Sequence, residues 1–111
     1  GTIFIGVPFS KGRDSRNVCI FADGEVNRCP TGSGVSGRMA IHFARKEIDY
    51  GQEMLIESIT GSVFKGAVVE EIDYGPYKAV VPRVEGTAHI TGQHEFLIDP
   101  GDPFKTGFFL R

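Results

Sequence analysis

The stretch SGVSGRMAIHFARKEID, residues 33–49, is where this 111-residue chain has helical spacing. Val35, Met39 and Phe43 recur every four residues, so they line one side of a helix. Ile41 lies off that stripe, and we therefore expect the helix to be covered on more than one side. The spacing predicts one helix, and the segments around it decide what covers it.

Apolar runs rich in β-branched and aromatic residues lie on both sides of this helix, and they predict strands. Residues 2–7 and 17–22 precede the helix, and the turn at Asp23-Gly24 predicts a short return strand over residues 25–27. Glycine and proline separate further predicted strands after the helix, over residues 53–59, 62–72, 77–85, 87–91 and 94–99. One helix among so many antiparallel strands indicates an α+β fold, a mostly antiparallel sheet curled around one central helix.

Length and charge narrow the class of protein. A chain of 111 residues with 41% hydrophobic residues has the size and composition of one folded domain. The 12 basic and 14 acidic residues are well mixed and leave a net charge of −2, which gives no reason to expect nucleic acid or a membrane as a partner. The apolar runs are too short to span a bilayer and no secretory leader opens the sequence, so we expect a cytoplasmic protein. The sequence begins with Gly1 and not with Met, so we expect it to be a piece of something longer.

The cysteines and histidines give no metal or disulfide pattern. Cys19 and Cys29 are too few for a disulfide framework, and we expect both to be reduced thiols. The spacing of these cysteines and of the three histidines lacks the pairing of a zinc site, so we expect no metal. We interpret each histidine as a packed or surface residue: His42, His89 and His94.

The stretch RCPTGSGVSGR, residues 28–38, leads into the predicted helix and contains a formal GxGxxG. A dinucleotide site would need a strand directly before the first glycine and a parallel strand after the helix, and neither is predicted here. The unpaired N–H groups at a helix start still favour a small anion, such as one carboxylate. Alternatively, Thr31 or Ser33 caps the helix and the glycines only form a tight turn.

Residues 14–38, DSRNVCIFADGEVNRCPTGSGVSGR, resemble the second active-site segment of the proline racemase family, which includes proline racemases, 4-hydroxyproline epimerases and trans-3-hydroxy-L-proline dehydratases. The resemblance continues through residues 56–68, 86–92 and 102–111. It implies that residues 1–111 form a single domain, the second or C-terminal half of a two-domain, diaminopimelate-epimerase-like fold. The N-terminal half is then absent from this sequence and is an expected partner.

The resemblance places Thr31 where racemases and epimerases of the family have the second of two catalytic cysteines. A thiol with a pKa near about 8.5 can give and take a proton, whereas a threonine hydroxyl is far too weak an acid to do so. The family's dehydratases also have threonine here, within a PTGSGV motif that residues 30–35 match. The resemblance therefore implies a cofactor-independent hydro-lyase that dehydrates trans-3-hydroxy-L-proline to Δ1-pyrroline-2-carboxylate, its base supplied by the first half. A proline racemase or 4-hydroxyproline epimerase, and a truncated non-catalytic relative, are the alternatives.

The same resemblance implies roles for the residues around Thr31. Gly32 and Ser33 bind the carboxylate of an imino acid substrate through their N–H groups. Asn27 stands where the family has an aspartate that meets the ring nitrogen, and an amide cannot neutralise that charge. Phe21 borders the substrate ring, or is a core strand residue. Cys29 stands where serine is usual, as a displaced catalytic thiol or an idle one. An exposed apolar surface between the halves would favour self-association, so a homodimer is also an expected partner arrangement.

Overall fold

The computed structural model describes residues 1–110, and Arg111, the last residue of the resembling stretch, lies outside them. The described residues form one six-stranded sheet in the order β1-β2-β4-β5-β6, with β3 paired to β2 outside this path. In chain order the elements are β1 (Thr2–Gly6), β2 (Ser15–Phe21), β3 (Glu25–Val26), α1 (Gly32–Ala44), β4 (Met54–Ser58), β5 (Val63–Tyr74) and β6 (Tyr77–Glu85). A mixed sheet with a single helix within residues 1–110 confirms the α+β fold class.

The sheet is mostly antiparallel, as predicted, but β2 and β4 pair in parallel. Parallel neighbours need a long crossover connection. The chain between β2 and β4 contains α1 and provides that crossover. The helix therefore lies across the sheet because of the strand order, which local sequence patterns do not reveal.

The core lies between α1 and the sheet, against β5 and β6. Val35 and Met39, the predicted stripe of the helix, are fully buried, and Phe43 packs at the edge of the same cluster. Gly66 of β5 permits this close approach, because a Cβ there would lie 2.8 Å from Val35 Cγ1 and 2.9 Å from Met39 Sδ. Ile41 is 51% exposed, so the described residues leave one flank of the helix uncovered.

The helix ends at Ala44, earlier than the predicted end at residue 49. Lys46 takes a left-handed backbone conformation with φ of 59°. The N–H of Lys46 then donates to Phe43 O at 2.9 Å and the N–H of Glu47 to His42 O at 2.9 Å, a Schellman arrangement that closes the helix. The prediction missed this end because glycine usually takes the left-handed position and lysine gave no such signal. With its 13 residues, α1 is not long and apolar enough to cross a membrane.

The predicted strands over residues 87–91 and 94–99 are wrong. No strand follows β6 within the described residues, and the apolar side chains there are exposed, including Ile90 at 96% and Leu97 at 89%. A strand needs a partner for its backbone N–H and C=O groups and a surface against which its side chains pack. We call residues 86–110 the tail. Its apolar residues produce the strand-like pattern, but within residues 1–110 no neighbour buries their side chains.

Candidate active site

The loop of residues 27–31 enters α1 after running back along β2. The N–H of Asn27 donates to Cys19 O at 2.9 Å, and Asn17 Nδ2 donates to Pro30 O at 3.0 Å. Asn17 and Cys19 are two residues apart on one strand, so they lie on the same face of the sheet. The backbone bond at Asn27 continues the pairing of β3 with β2, and the buried Asn17 side chain holds the other end of the loop at Pro30.

The turn between β4 and β5 holds the middle of this loop. Arg28 O accepts hydrogen bonds from Thr60 Oγ1 at 2.6 Å and from Ser62 Oγ at 3.0 Å. The buried Ser58 hydroxyl lies 2.9 Å from Thr60 Oγ1 and 2.8 Å from Ser62 Oγ. Sequence reasoning missed these supporting residues. The hydroxyl-rich run IESITGS was visible within residues 56–68, but its partner, a backbone carbonyl about thirty positions away, was not.

Thr31 has a backbone conformation that residues with a side chain rarely adopt. Its φ is 70° and its ψ is 109°, and it is 7% exposed. Such conformations cost roughly 1–3 kcal/mol and cluster at functional sites. The side chain makes no capping hydrogen bond to the helix, so the alternative in which Thr31 caps α1 is wrong. Instead, Thr31 Oγ1 accepts a hydrogen bond from Asn27 Nδ2 at 2.8 Å, and an accepting hydroxyl can still donate its own proton.

The first turn of α1 is suited to an anion. Its N–H groups have no acceptor within the helix, and no acidic side chain in that turn neutralises the helix dipole. A Cβ on Gly32 would meet nothing within 4 Å, and Ser33 is exposed, so the space in front of both residues is open. Gly34 instead faces the protein, because a Cβ there would lie 2.2 Å from Ile3 Cδ1. Carboxylate binding at Gly32 and Ser33 stays a prediction, and this open first turn is the feature on which it depends.

Phe21 ends β2 and is 41% exposed, so it is not a core strand residue. It lines a shallow cavity with Phe4 and Ile20, and the lining of that cavity does not include Thr31, Gly32 or Ser33. The structure thus brings Asn27 to Thr31 but places Phe21 in different surroundings.

A half-buried arginine network lies behind the loop, and sequence reasoning also missed it. Arg38 of α1 donates from Nη1 to Ser15 Oγ at 2.8 Å and to Asn17 Oδ1 at 2.9 Å. Its Nη2 lies 3.1 Å from His42 Nε2, and His42 Nδ1 pairs with the Glu47 carboxylate. Burial lowers the pKa of the Arg38 guanidinium from its ordinary value. The helix is therefore tied to β2 by a polar network beside the loop that carries Thr31.

The two cysteines are free thiols, Cys19 buried and Cys29 partly exposed. Cys29 borders a cavity of about 420 Å³ together with Asn27, Thr60 and His89. Among residues 1–110, no three His, Cys, Asp or Glu side chains are grouped so that they could hold a metal ion.

The sequence of this chain is similar to proteins of one known family. The sequence profile of the family described as proline racemase matches residues 1–109. A trans-3-hydroxy-L-proline dehydratase of Colwellia psychrerythraea is 46% identical over 111 residues, which are 100% of this chain and 31% of that protein. A proline racemase of Clostridioides difficile is 45% identical over 96 residues, which are 86% of this chain and 29% of that protein.

A similar fold is found in a crystal structure of a hydroxyproline epimerase from Agrobacterium vitis with bound trans-4-hydroxy-L-proline. The TM-score is 0.73 at 28% identity, over 97% of this chain and 31% of that one. The chain therefore spans about a third of the length of the relatives that it matches.

Proposed function

This chain belongs to the proline racemase family, and on that premise we propose that the protein carrying it dehydrates trans-3-hydroxy-L-proline to Δ1-pyrroline-2-carboxylate. Residues 1–111 supply one wall of the active site, and the other wall comes from a first half outside this sequence. The observation that carries the proposal is Thr31, a hydroxyl at the start of α1 beside the open N–H groups of Gly32 and Ser33. The dehydratase from Colwellia, at 46% identity, supports the same assignment.

The reaction needs a base on only one face of the substrate. A base on the opposite wall takes the proton from Cα, and the electron pair of that C–H bond forms a double bond to C3. The C3–O bond breaks, and the hydroxyl group leaves as water with the proton that the base took from Cα. The resulting enamine then moves a proton from nitrogen to C3 and becomes the imine. No group with a thiol's acidity is required at position 31, in contrast to racemisation, where an acid must return a proton to Cα from the second face.

Each residue of the site then has a defined role. The N–H groups of Gly32 and Ser33 bind the substrate carboxylate, favoured by the helix dipole. Thr31 donates its hydroxyl proton in a hydrogen bond to the departing 3-hydroxyl group, and the 2.8 Å bond from Asn27 holds Thr31 for that task. Asn27 Oδ1 accepts a hydrogen bond from the ring nitrogen. For Phe21 the resemblance implies a contact with the substrate ring; its side chain is 41% exposed, but it lines a cavity that does not include Thr31.

Racemisation or epimerisation of proline or 4-hydroxyproline is the second candidate. It is supported by the racemase from Clostridioides difficile and by the structure of the epimerase from Agrobacterium vitis. Thr31 argues against it, because the hydroxyl cannot exchange a proton with Cα at a useful rate. Cys29 is the nearest thiol in sequence, but its neighbour Pro30 is buried and separates it from Thr31 along the chain.

The test is a substrate panel on the native protein that carries this sequence. Trans-3-hydroxy-L-proline should give an imine that reacts with o-aminobenzaldehyde, and L-proline should show no change in optical rotation. A change of rotation at constant composition with L-proline or 4-hydroxyproline would instead establish the second candidate. A protein that changes none of the three substrates is a non-catalytic relative.

A further inference from the structure

Asn17 is a fully buried amide whose two ends are both engaged beside the candidate active site. Its exposed fraction is 0%, and it lies in the middle of β2 under the loop that carries Thr31. Its Oδ1 accepts a hydrogen bond from Arg38 Nη1 at 2.9 Å, and its Nδ2 donates to Pro30 O at 3.0 Å. The proposed reaction does not use this residue directly, because Pro30 lies between it and Thr31.

Arg38 determines which end of the Asn17 amide faces Pro30. A guanidinium has only donors, so only the amide oxygen can pair with it. The amide nitrogen, a donor, is then left facing the carbonyl of Pro30, which can only accept. Ser15 Oγ accepts from the same Nη1 at 2.8 Å, and on the other side of the guanidinium Nη2 lies 3.1 Å from His42 Nε2.

The bond from Asn17 to Pro30 also orients the next N–H group. In a trans peptide the C=O and the following N–H point in opposite directions, and no peptide bond within the described residues is cis. Because Pro30 C=O points at the buried Asn17, the N–H of Thr31 points away from it. The positive φ of Thr31 precedes the helical residues Gly32 and Ser33, and successive N–H groups in such turn conformations form anion-binding concavities.

We propose that Asn17 is a positioning residue for carboxylate binding. By holding the Pro30 carbonyl, it aims the N–H of Thr31 at the same anion that the N–H groups of Gly32 and Ser33 bind. Arg38 acts one step further back, by fixing the direction of the Asn17 amide. This inference rests on the proposed carboxylate site and adds Thr31 N–H to it.

The sharpest test is Asn17→Asp in the native protein that carries this sequence. The aspartate keeps the size of the side chain and its pairing with Arg38, but it replaces the donor toward Pro30 O by an oxygen that repels it. Ser15→Ala is the matched control, because Ser15 lies on the same face of β2 and contacts Arg38 but not the loop. Asn17→Ser is the second variant, in case Asn17→Asp does not fold. The serine hydroxyl is too short to reach Pro30 O and carries no charge.

Two readouts separate positioning from a loss of structure. We expect KM for trans-3-hydroxy-L-proline and Kd for L-proline, the latter by calorimetry, to rise about tenfold in Asn17→Asp and Asn17→Ser, as for a lost hydrogen bond to a charged group. We expect kcat to fall less than about threefold, and Ser15→Ala to leave both constants within about twofold of the unchanged protein. An Asn17 variant that folds and keeps both constants overturns the inference, as does a Ser15→Ala variant with the same losses.

The Kd measurements with L-proline test this inference separately from the proposed function. An unchanged protein that binds L-proline but forms no imine contradicts the proposed dehydration, and the Kd values of the variants still decide the role of Asn17. An unchanged protein that binds neither imino acid overturns the inference as well.

Discussion

Thr31 combines a strained backbone with a buried hydroxyl that is held by one neighbour. Its φ of 70° is rare for a β-branched residue, and no capping bond of its side chain compensates for it. The surroundings impose the conformation instead: Arg28 O is bound by the turn after β4, Pro30 O by Asn17, and Thr31 O accepts from Val35 N at 2.8 Å. These contacts hold Thr31 in its strained conformation at the N-terminal end of α1.

Thr31→Val should greatly lower the rate of dehydration while the protein keeps its fold. Valine has the same shape and branching but cannot donate a hydrogen bond to the departing hydroxyl group. We expect kcat for dehydration to fall about a hundredfold, the lower range for loss of one hydrogen-bond donor to a group that develops negative charge. Thr31→Ser is the matched control, because it keeps the hydroxyl, and its kcat should stay within about tenfold of the unchanged enzyme. Steady-state imine formation measures both. Equal rates for valine and threonine would remove Thr31 from the mechanism.

Gly32→Ala should weaken substrate binding without harming stability. A Cβ at Gly32 meets no protein atom within 4 Å, so the methyl group would occupy only the space proposed for the carboxylate. We expect KM to rise about tenfold or more, with an unchanged unfolding midpoint. Gly37→Ala is the control in the same helix: its Cβ also meets nothing within 4 Å, and it should add about 0.5–1 kcal/mol of stability with KM unchanged. A Gly32→Ala enzyme with normal KM would contradict the carboxylate position.

At the scale of elements, a buried carboxylate joins the loop after β1 to β4. Glu57 of β4 is 2% exposed, and it accepts hydrogen bonds from Phe9 N at 2.8 Å and from the Ser10 hydroxyl at 2.5 Å. The Arg16 guanidinium stacks 3.6 Å from the centre of the Phe9 ring. The Ser10 hydroxyl and the Phe9 N–H are the main groups that hold the pKa of Glu57 below its usual value, although burial raises it. The edge strand β1 is thereby fastened to the middle of the sheet.

The stability of the protein should therefore depend on Glu57 in acid. Because its pKa is lower in the folded protein than in the unfolded chain, the carboxylate contributes stability in full above the unfolded value, about 4.3. That contribution is lost as the pH falls through the folded value. We expect Glu57→Gln to be less stable than the unchanged protein at pH 7, and the difference to shrink below about pH 4.

Urea denaturation of both proteins across this pH range measures the effect. Glu70→Gln removes the same charge from an exposed position on β5 and controls for net charge. A difference between Glu57→Gln and the unchanged protein that stays constant from pH 7 to pH 3 would show that ionisation of Glu57 does not support the fold.

At the scale of the whole molecule, the tail leaves a large apolar surface exposed. Phe96 and Leu97 are 85% and 89% exposed, and Phe109 is 89% exposed. The radius of gyration is 18.5 Å, against about 13 Å for a compact domain near this length. The uncovered flank of α1 at Ile41 adds to this surface. The chain spans 31% of the Colwellia dehydratase that it matches, and the two-walled site proposed above would place further protein against the tail.

The isolated chain of residues 1–111 should self-associate and lack dehydratase activity. Exposed apolar patches of this kind drive association in water, and one wall alone has no base for Cα. Replacing Phe96, Leu97 and Ile98 together by serine should shift the chain toward monomer in sedimentation velocity. Replacing Tyr74 and Tyr77 of the β5–β6 hairpin by serine is the control, because both are at least 71% exposed but lie outside the tail. A chain that is monomeric at tens of micromolar before any substitution would contradict this prediction.

The sequence by itself determined the helix stripe of Val35 and Met39, the strands through residue 85, and the motif that puts Thr31 before Gly32 and Ser33. Those features depend on side chains a few positions apart, because helical and strand periodicities are local. The tertiary structure alone decided the parallel pairing of β2 with β4, the strain at Thr31, and the bonds that Asn17, Thr60 and Ser62 make to the loop. These contacts join residues 13 to 34 positions apart, so they exist only once the crossover has brought β2, α1 and β4 together. The tail has a strand-like pattern but forms no strand within residues 1–110, because a strand needs a partner for its backbone groups and these residues provide none.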